Sequence, residues 1–472
     1  MKFHFVWFTG LIFFLSCKKG EKLNNQAPET YLFLDKIELS GQDRLNSIVQ
    51  LHWFGEDKDG IVKFYEFSIN GGEWQITTKT DSTFRLEINN GADSSDIRFE
   101  VRAVDDQNLK DPTPASLIIP IKNTAPVISF NTSYYPTDTT FPVLTFLWDV
   151  FDIDGKSTID SIYLKVNNGN WITLSPNVSM VTVIPLNPKI NGKQDARVYL
   201  QYEKNSYSQI LQDFEVNGNN QFYLKAKDKG SLFSEIDSSK IFFVQNQRSD
   251  IILVDGVGTT PRPIQLYGPI IDQLYGAYDY LDLTKAVNFP KMTITLDWWF
   301  LQHKEIFWYA PSTVTQLDYI ERSESVIQNS LNAGRKFLFS IPVPKNLDPN
   351  SSIYRFSPID SLTIQKDAFM LNTAEAIPDP QNAVNYPTLK NTGPGLISQI
   401  SPFYPKPAAK VIYRANLTAG SGNWNDSTIV AAKFLNLQNK TNLIFFVIPL
   451  DKLNGNSNLV QFFQATKDEF NY

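Results

Sequence analysis

The sequence holds a single cysteine, Cys17, and three histidines among 472 residues. Disulfide frameworks, cysteine-rich zinc sites and Cys/His catalysis therefore have almost no material to be built from. Charge is also sparse, at 19% of residues, and 43 basic against 49 acidic side chains leave a formal charge of −6. That balance argues against a general affinity for nucleic acid. Apolar runs past the N-terminus, such as Leu443–Leu450, have the length of a buried strand and fall short of the roughly 20 residues that span a bilayer. What is plentiful is apolar and aromatic surface, 42% and 13%, together with 27 prolines and 23 glycines. The composition is globular and favours strands joined by turns. At about 100–200 residues per domain, the length implies two to four domains.

The N-terminus has the build of a secretion signal, with Lys2 ahead of an apolar run from Phe5 to Phe14 that Thr9 and Gly10 interrupt. Leu15-Ser16-Cys17 follows at once. It resembles the lipobox of bacterial lipoproteins, in which the cysteine is acylated and becomes the first mature residue. The resemblance implies palmitate-type lipidation at Cys17, and several acyl chains on one residue hold a protein to a membrane without a spanning helix. Lys18, in place of Asp, implies the outer membrane by Gram-negative sorting rules. The periplasmic face and the cell surface both stay open. Residues 18–27 read as a polar tether after a signal and lipobox over 1–17.

An internal repeat organises the next 220 residues. Trp53, Asp57, Asp59 and Gly60 recur with identical spacing as Trp148, Asp152, Asp154 and Gly155. A second tryptophan follows in Gly71-Gly-Glu-Trp74 and in Asn168-Gly-Asn-Trp171, and Phe99-x-x-x-Ala103-x-Asp105 is matched by Phe222-x-x-x-Ala226-x-Asp228. Each copy opens on Ala-Pro, at Ala27-Pro28 and Ala125-Pro126. Alternating runs such as Ile97–Ala103, bounded by Gly, Asn and Asp, give each copy the pattern of a β-sandwich. The order of landmarks resembles the fibronectin type III and immunoglobulin-like modules of bacterial extracellular proteins, which implies that the first tryptophan of each copy fills the core between two sheets. The modules are assigned to 28–122 and 123–247. The second is about 28 residues longer between landmarks, around 176–213, and this excess reads as an insertion. Within it, Tyr199, Tyr202 and Tyr207 form a candidate aromatic surface. The paired Asp-x-Asp-Gly segments read as turns, since neither has a Glu at the twelfth position of a calcium loop.

Beyond Ser249 the texture changes. Ile251–Asp255 is an unbroken apolar strand ending in Asp-Gly, Ile264–Tyr278 has helical spacing, and Glu305–Tyr309 reads as a further strand. A helix is expected over 315–333 with Gly334 at its cap, then strands at Arg335–Ser340 and Leu443–Ile448, and a closing helix at Leu459–Phe470. This alternation is an α/β layer fold. The expected fold class is thus two tandem β-sandwiches followed by a three-layer, flavodoxin-like α/β domain over 250–472. The strand ending in Asp-Gly, the Tyr278-Asp-Tyr segment and Leu331-Asn-Ala-Gly-Arg-Lys-Phe-Leu-Phe-Ser340 resemble the class I glutamine-amidotransferase-like domains appended to bacterial surface proteins.

In catalytic members of that family the turn after this last strand carries a nucleophilic cysteine, followed later by a histidine. Here the turn reads Ser340-Ile341-Pro342, and no histidine follows His303. The thiolate and the general base of amidotransferase chemistry are both missing. Ser340 lacks the Gly-x-Ser-x-Gly elbow of a serine hydrolase. Asp255 lies at the carboxyl end of the first strand, where α/β folds place ligands, but reads better as a turn-forming residue that caps the next helix. Gly256-Val-Gly258 lacks the rest of a phosphate loop, so no nucleotide cofactor and no metal are expected. Trp298, Trp299 and Trp424, with Tyr354, Phe356, Phe403 and Tyr404, are candidates to line a groove at the ligand edge or to fill the core.

These residues point to a non-catalytic, lipid-anchored envelope protein that binds a protein or glycan partner and not nucleic acid. The alternative is a hydrolase of the glycoside type, which needs only two carboxylates.

Overall fold

A computed structural model describes residues 24–34, 44–88, 92–391, 393, 395–398 and 400–471. Cys17, its lipobox and most of the tether lie outside the described residues. Among those described, no helix is long and apolar enough to cross a membrane. The chain divides into two compact units. One comprises the residues up to Ala125 with Asp152–Thr158 and Lys229–Leu232, and the other holds the remainder.

In the first unit, Glu29–Leu34, Ile48–Glu56 and Asp81–Arg85 form one sheet, and Gln75–Thr77, Val62–Ile69, Ser94–Asp105 and Ala115–Lys122 form another. Side chains of Ile97–Ala103 alternate between core and surface, as a half-buried strand requires. Trp53 is buried against Tyr65, Phe84 and Phe99. The Asp-x-Asp-Gly segments make turns: Asp57 accepts from the Asp59 amide at 3.3 Å, and Asp152 accepts from the Asp154 amide at 2.9 Å.

In the second unit, the strands from Val127–Phe130 to Phe242–Val244 form a sandwich of a five-stranded and a four-stranded sheet with a small three-stranded sheet. Trp148 is buried in its core and donates its indole N–H to the Val178 carbonyl at 2.9 Å. The expected insertion is not a loop. Met180–Pro185 and Gly192–Leu200 are paired strands of the five-stranded sheet. Every residue of Met180–Pro185 is buried. Val181 and Val183 face the sandwich core, while Met180 and Ile184 face the α/β core. A strand covered on both faces loses the alternation by which it would be read.

The α/β region is built on a nine-stranded sheet. Its spatial order is Asp279–Asp282, Ile251–Asp255, Glu305–Tyr309, Lys336–Ser340, Thr441–Phe446, Ile429–Leu435, Lys410–Ala415, Glu375–Pro378 and Leu389–Lys390. The first five strands are parallel, in sequence order 2-1-3-4-5, and the last four extend the sheet antiparallel. The long segment 341–432 supplies most of these antiparallel strands, together with the short helix Ser352–Phe356 and two small two-stranded sheets. Phe307 and Trp308 point to opposite faces because they are neighbours on one strand. Phe307 meets Tyr267 and Phe463, from helices Ile264–Tyr275 and Leu459–Asn471. Trp308 meets Phe300, from helix Thr293–Gln302. The three layers follow.

The helix expected over 315–333 is two helices, Val314–Arg322 and Glu324–Asn332. They part at Ser323, whose hydroxyl donates to the Tyr319 carbonyl at 2.6 Å. Gly334 ends the second with φ +81°, the left-handed conformation glycine adopts most readily.

Sandwich and α/β layers meet along helix Thr293–Gln302. Trp299 packs edge-on against Phe141 and donates to the Val143 carbonyl at 3.3 Å, and Trp298 lies 4.3 Å from the Tyr199 ring. Thr295 donates to Thr145, which is itself 3.0 Å from Thr182.

Candidate functional site

The carboxyl end of the parallel strands is where an α/β sheet offers a ligand site. Register sets Asp255 beside Asp282 on one side and Tyr309 on the other, with Ser340 one strand further. Asp255 has no exposed surface. One carboxylate oxygen accepts from Arg262 at 2.8 Å and from the Tyr280 hydroxyl at 2.7 Å, and the other from the Val257 amide at 2.8 Å. Arg262 also donates to both oxygens of Asp282, at 3.0 and 3.3 Å. Asp282 in turn accepts from the Thr284 amide and hydroxyl.

Burial pushes the Asp255 carboxyl up, and the bonds from Tyr280, Val257 and Arg262 oppose that rise without cancelling it. Asp282 is less buried, and there Thr284 and Arg262 outweigh desolvation and hold its carboxyl below the usual range. The guanidinium is held charged by Asp282 and Asp255. Deeper in lie the buried rings of Tyr267 and Tyr309. Tyr267 feels the charge of both Asp451 and Asp255. Asp451, in the turn after the Thr441–Phe446 strand, is also raised by burial.

The edge is thus occupied largely by its own side chains, apart from a cavity of about 100 Å³ beside Tyr280, Asp282 and Trp299. Gly256 continues the filling, because a Cβ there would lie 2.2 Å from Gln316 Oε1 and 2.9 Å from the Ala310 Cβ. Gln316 is buried and donates to the Leu283 carbonyl at 3.0 Å, so it cannot retreat without losing that bond. Gly256→Ala is expected to destabilise this unit by about 1–3 kcal/mol, the usual cost of overpacking. Urea unfolding followed by tryptophan fluorescence measures it.

The other candidates disperse. Ser340 is buried, and its hydroxyl donates to the Ile448 carbonyl at 3.2 Å while accepting from the Leu450 amide at 3.0 Å. A serine committed to two backbone partners is a structural joint. His303 sits at the opposite end of the strands, between the Trp299 carbonyl and Asp279, at 2.7 and 2.8 Å. Glu305 pairs with Lys336 and Tyr309 with Ser340, so strand length alone separates that histidine from the serine by roughly 13 Å or more. Asp255 does form the turn, accepting from the Val257 amide, but does not cap the following helix, whose N-terminus has no side-chain cap; its other oxygen accepts from Arg262. Trp298 and Trp299 are buried where the sandwich meets the helix, and Trp299 borders a small cavity of about 100 Å³ that Tyr280 and Asp282 also line. Trp424 is half-buried and donates to the Ser427 carbonyl at 3.0 Å. Phe356 and Phe403 are core residues, and Tyr404 is exposed. The tyrosine surface divides likewise: Tyr199 is buried, Tyr202 exposed, and Tyr207 donates to the Thr173 carbonyl.

Sequence reasoning found Asp255 but missed Arg262, Tyr280, Asp282 and Asp451. The alternation Tyr280-x-Asp282, ending a strand of the same sheet, was a usable signal, whereas nothing marked Arg262 in Pro261-Arg-Pro263.

An open groove of about 1130 Å³ lies at the other end of the sheet, lined among others by Gln273, Asn382, Tyr386, Gln464, Lys433 and Glu469. Glu469 accepts from Lys433, Tyr386 and Thr441, so its charge is compensated.

No family model matches the chain, and no curated protein matches it. Solved structures to which it is similar include the PKD1 domain of Vibrio anguillarum Epp, at 15% identity over 21% of this chain and 99% of that one, with a TM-score of 0.16. The Clostridium thermocellum CbhA fibronectin(III)-like modules share 14% identity over 46% and 94% of the two chains, TM-score 0.18. A tetra-tandem repeat from the extending region of a large adhesion protein shares 13% over 45% and 49%, TM-score 0.19. With TM-scores this low, the sheet assignment rests on the pairing described above and not on these likenesses.

Proposed function

We propose that the chain is a lipid-anchored cell-envelope protein that acts as a binding or scaffold component through its sandwich modules and α/β domain. The observation that carries this reading is the closed ligand edge. Asp255, Arg262, Tyr280 and Asp282 are bonded to one another, and Ser340 is spent on two backbone groups. A group that serves as nucleophile or general base needs room for a reacting atom beside it. The parallel strand order 2-1-3-4-5 supports a flavodoxin-like ancestry for the α/β domain, with the amidotransferase machinery lost. Anchorage at Cys17 to the outer membrane belongs to the same proposal and rests on the lipobox resemblance.

A second reading, a hydrolase working through carboxylates, draws on Asp255 and Asp451. Both are raised by burial, and each acts on the buried Tyr267. It would require the edge to open.

Metabolic labelling with an alkyne-bearing palmitate analogue tests the anchor, with incorporation expected in the wild type and lost in Cys17→Ser. Crosslinking in the native envelope followed by mass spectrometry tests the binding role. A stoichiometric partner is expected, and its absence together with turnover of an envelope glycan would favour the hydrolase. Removing residues 250–472 is a poor control, because it would uncover Phe141, Val143 and Tyr199.

A further inference from the structure

The outer face of the second sandwich's four-stranded sheet carries an arrangement that the binding reading does not use. Tyr163 and Lys165 alternate with buried Ile162, Leu164 and Val166 on strand Ile159–Val166, and so point outward. Opposite them, on Phe222–Asp228, Lys225 pairs with Tyr163, Tyr223 with Lys165, and Lys227 with Ser161. The result is a lattice of rings and ammonium groups in alternation. Lys165 lies 5.1 Å from the Trp171 ring and 4.9 Å from Tyr223. Lys225 lies 4.8 Å from Trp171, 5.3 Å from Tyr163 and 4.5 Å from Phe233, and Lys227 lies 5.8 Å from Phe233. Tyr163, Trp171 and Tyr223 are half-exposed, and Phe233 is exposed. None of the three lysines has a carboxylate within ion-pair distance among the described residues.

The first copy of the repeat is an internal control. Phe99–Ala103 corresponds to Phe222–Ala226, so Arg102 holds the place of Lys225 and Trp74 that of Trp171. There too the cation covers the indole, at 4.0 Å. Its cross-strand partner, however, is Glu66, which pairs with Arg102 at 2.7 Å and with Lys110 at 2.8 Å. The second copy has Tyr163 where the first has that carboxylate. It also has the pair Lys165 and Tyr223 where the first has Ser68 and Glu100. The exchange removes the acids, adds rings and leaves three cations without counter-ions. Core packing does not require it, because these side chains face away from the core.

We propose that this face binds an acidic polysaccharide, with uronate carboxylates paired to Lys165, Lys225 and Lys227 and sugar rings stacked on Trp171, Tyr163 and Tyr223. Ammonium groups supply charge-assisted hydrogen bonds to carboxylates, and aromatic faces supply apolar contact to the C–H face of a sugar. Alternation at about 5 Å across strands and about 7 Å along them offers both in turn. A duplex nucleic acid is a poor match, since it carries one charge per about 1.7 Å and three lysines on a chain of net charge −6 answer few of them. The site lies on a different sheet from the α/β ligand edge, so it stands or falls independently of the non-catalytic reading.

The test is affinity electrophoresis of the full chain, without its lipid, through native gels containing polygalacturonate or neutral dextran. Retardation is expected in polygalacturonate only, weakening as salt is raised. The Lys165→Ser/Lys225→Ser variant is expected to lose about tenfold or more in affinity, as is Trp171→Ala, while Lys225→Arg retains binding. Arg102→Ser, in the first copy, is expected to bind as the wild type does. Circular dichroism and thermal melting establish that each variant is folded. Absence of retardation would overturn the proposal, as would retardation that survives the double lysine substitution. Unchanged binding by Trp171→Ala, or equal binding of duplex DNA or phosphatidylglycerol vesicles, would reduce the face to a nonspecific cationic patch and overturn it too.

Discussion

Replacing Trp148 with alanine is expected to destabilise the second unit by about 3–5 kcal/mol, the usual range for removing a large aromatic from a core. The indole is 2% exposed, and its N–H is bonded to the Val178 carbonyl, which would be left buried and unpaired. The loss is expected to be carried into the α/β layers, because strand Leu144–Phe151 pairs with Met180–Pro185, whose other face is in the α/β core. Trp53→Ala is its counterpart in the first unit, where the ring meets Tyr65, Phe84 and Phe99. Chemical denaturation with hydrogen exchange resolved by mass spectrometry separates the two. Faster exchange in 127–244 and 251–471 for Trp148→Ala, and in 44–122 for Trp53→Ala, is the expected pattern.

Arg262→Met is expected to cost about 3–5 kcal/mol, because it leaves Asp255 buried with no counter-ion. The sign of its pH dependence follows from the direction in which Asp255 is already displaced. Its carboxyl is raised in the folded chain, so the folded state holds the proton to a higher pH than the unfolded state does. Such a group penalises folding little below the unfolded value, and the penalty grows as pH rises through the folded one. Without Arg262 the folded value moves further up, so the variant is expected to be closest to wild type in mild acid and to fall behind toward neutrality. Adding Asp255→Asn removes the charge, and is expected to recover most of the loss and flatten the profile. Urea unfolding of wild type, both single variants and the double variant between pH 4.5 and 8 measures this. Equal losses at all pH values would mean that Arg262 contributes by packing alone.

Much of the architecture was legible because its signals are local. The repeated Trp and Asp-x-Asp-Gly landmarks marked the two sandwiches, and the apolar runs at Ile251, Glu305, Lys336 and Leu443 marked parallel strands. What escaped was decided by tertiary context. Met180–Pro185 looked like part of an insertion because both its faces are covered, and period 2 survives only where one face meets water. The antiparallel half of the large sheet was hidden in a Pro- and Asn-rich stretch whose short strands take their identity from their neighbours.

At the candidate site, strand ends predicted where Asp255 and Ser340 would lie, but not what they would touch. Arg262 reaches Asp255 only because the chain turns back after Gly256, and no spacing rule encodes that return. The same limit explains Trp298 and Trp299. Their helix is buried on nearly every side, seven of its ten residues being buried, so periodicity gave no face to assign.

The α/β domain has its chemistry-bearing edge locked by ion pairs, while the second sandwich keeps lysines and rings open to solvent. A domain that has closed one edge can still position a neighbour rigidly, and the contacts of Trp299 with Phe141 and of Thr295 with Thr145 do this.

The closed edge is tested most directly by native-state hydrogen exchange of the full chain, read at the amides of Gly256, Val257, Leu283 and Thr284. In the structure these amides donate to Tyr309, Asp255, Asp255 and Asp282 respectively. The account predicts that they exchange as slowly as the central strands, through global opening of the unit. Rapid exchange at these four amides, with the central strands still protected, would show an edge that opens by itself, and would contradict the claim that this domain binds without performing chemistry there.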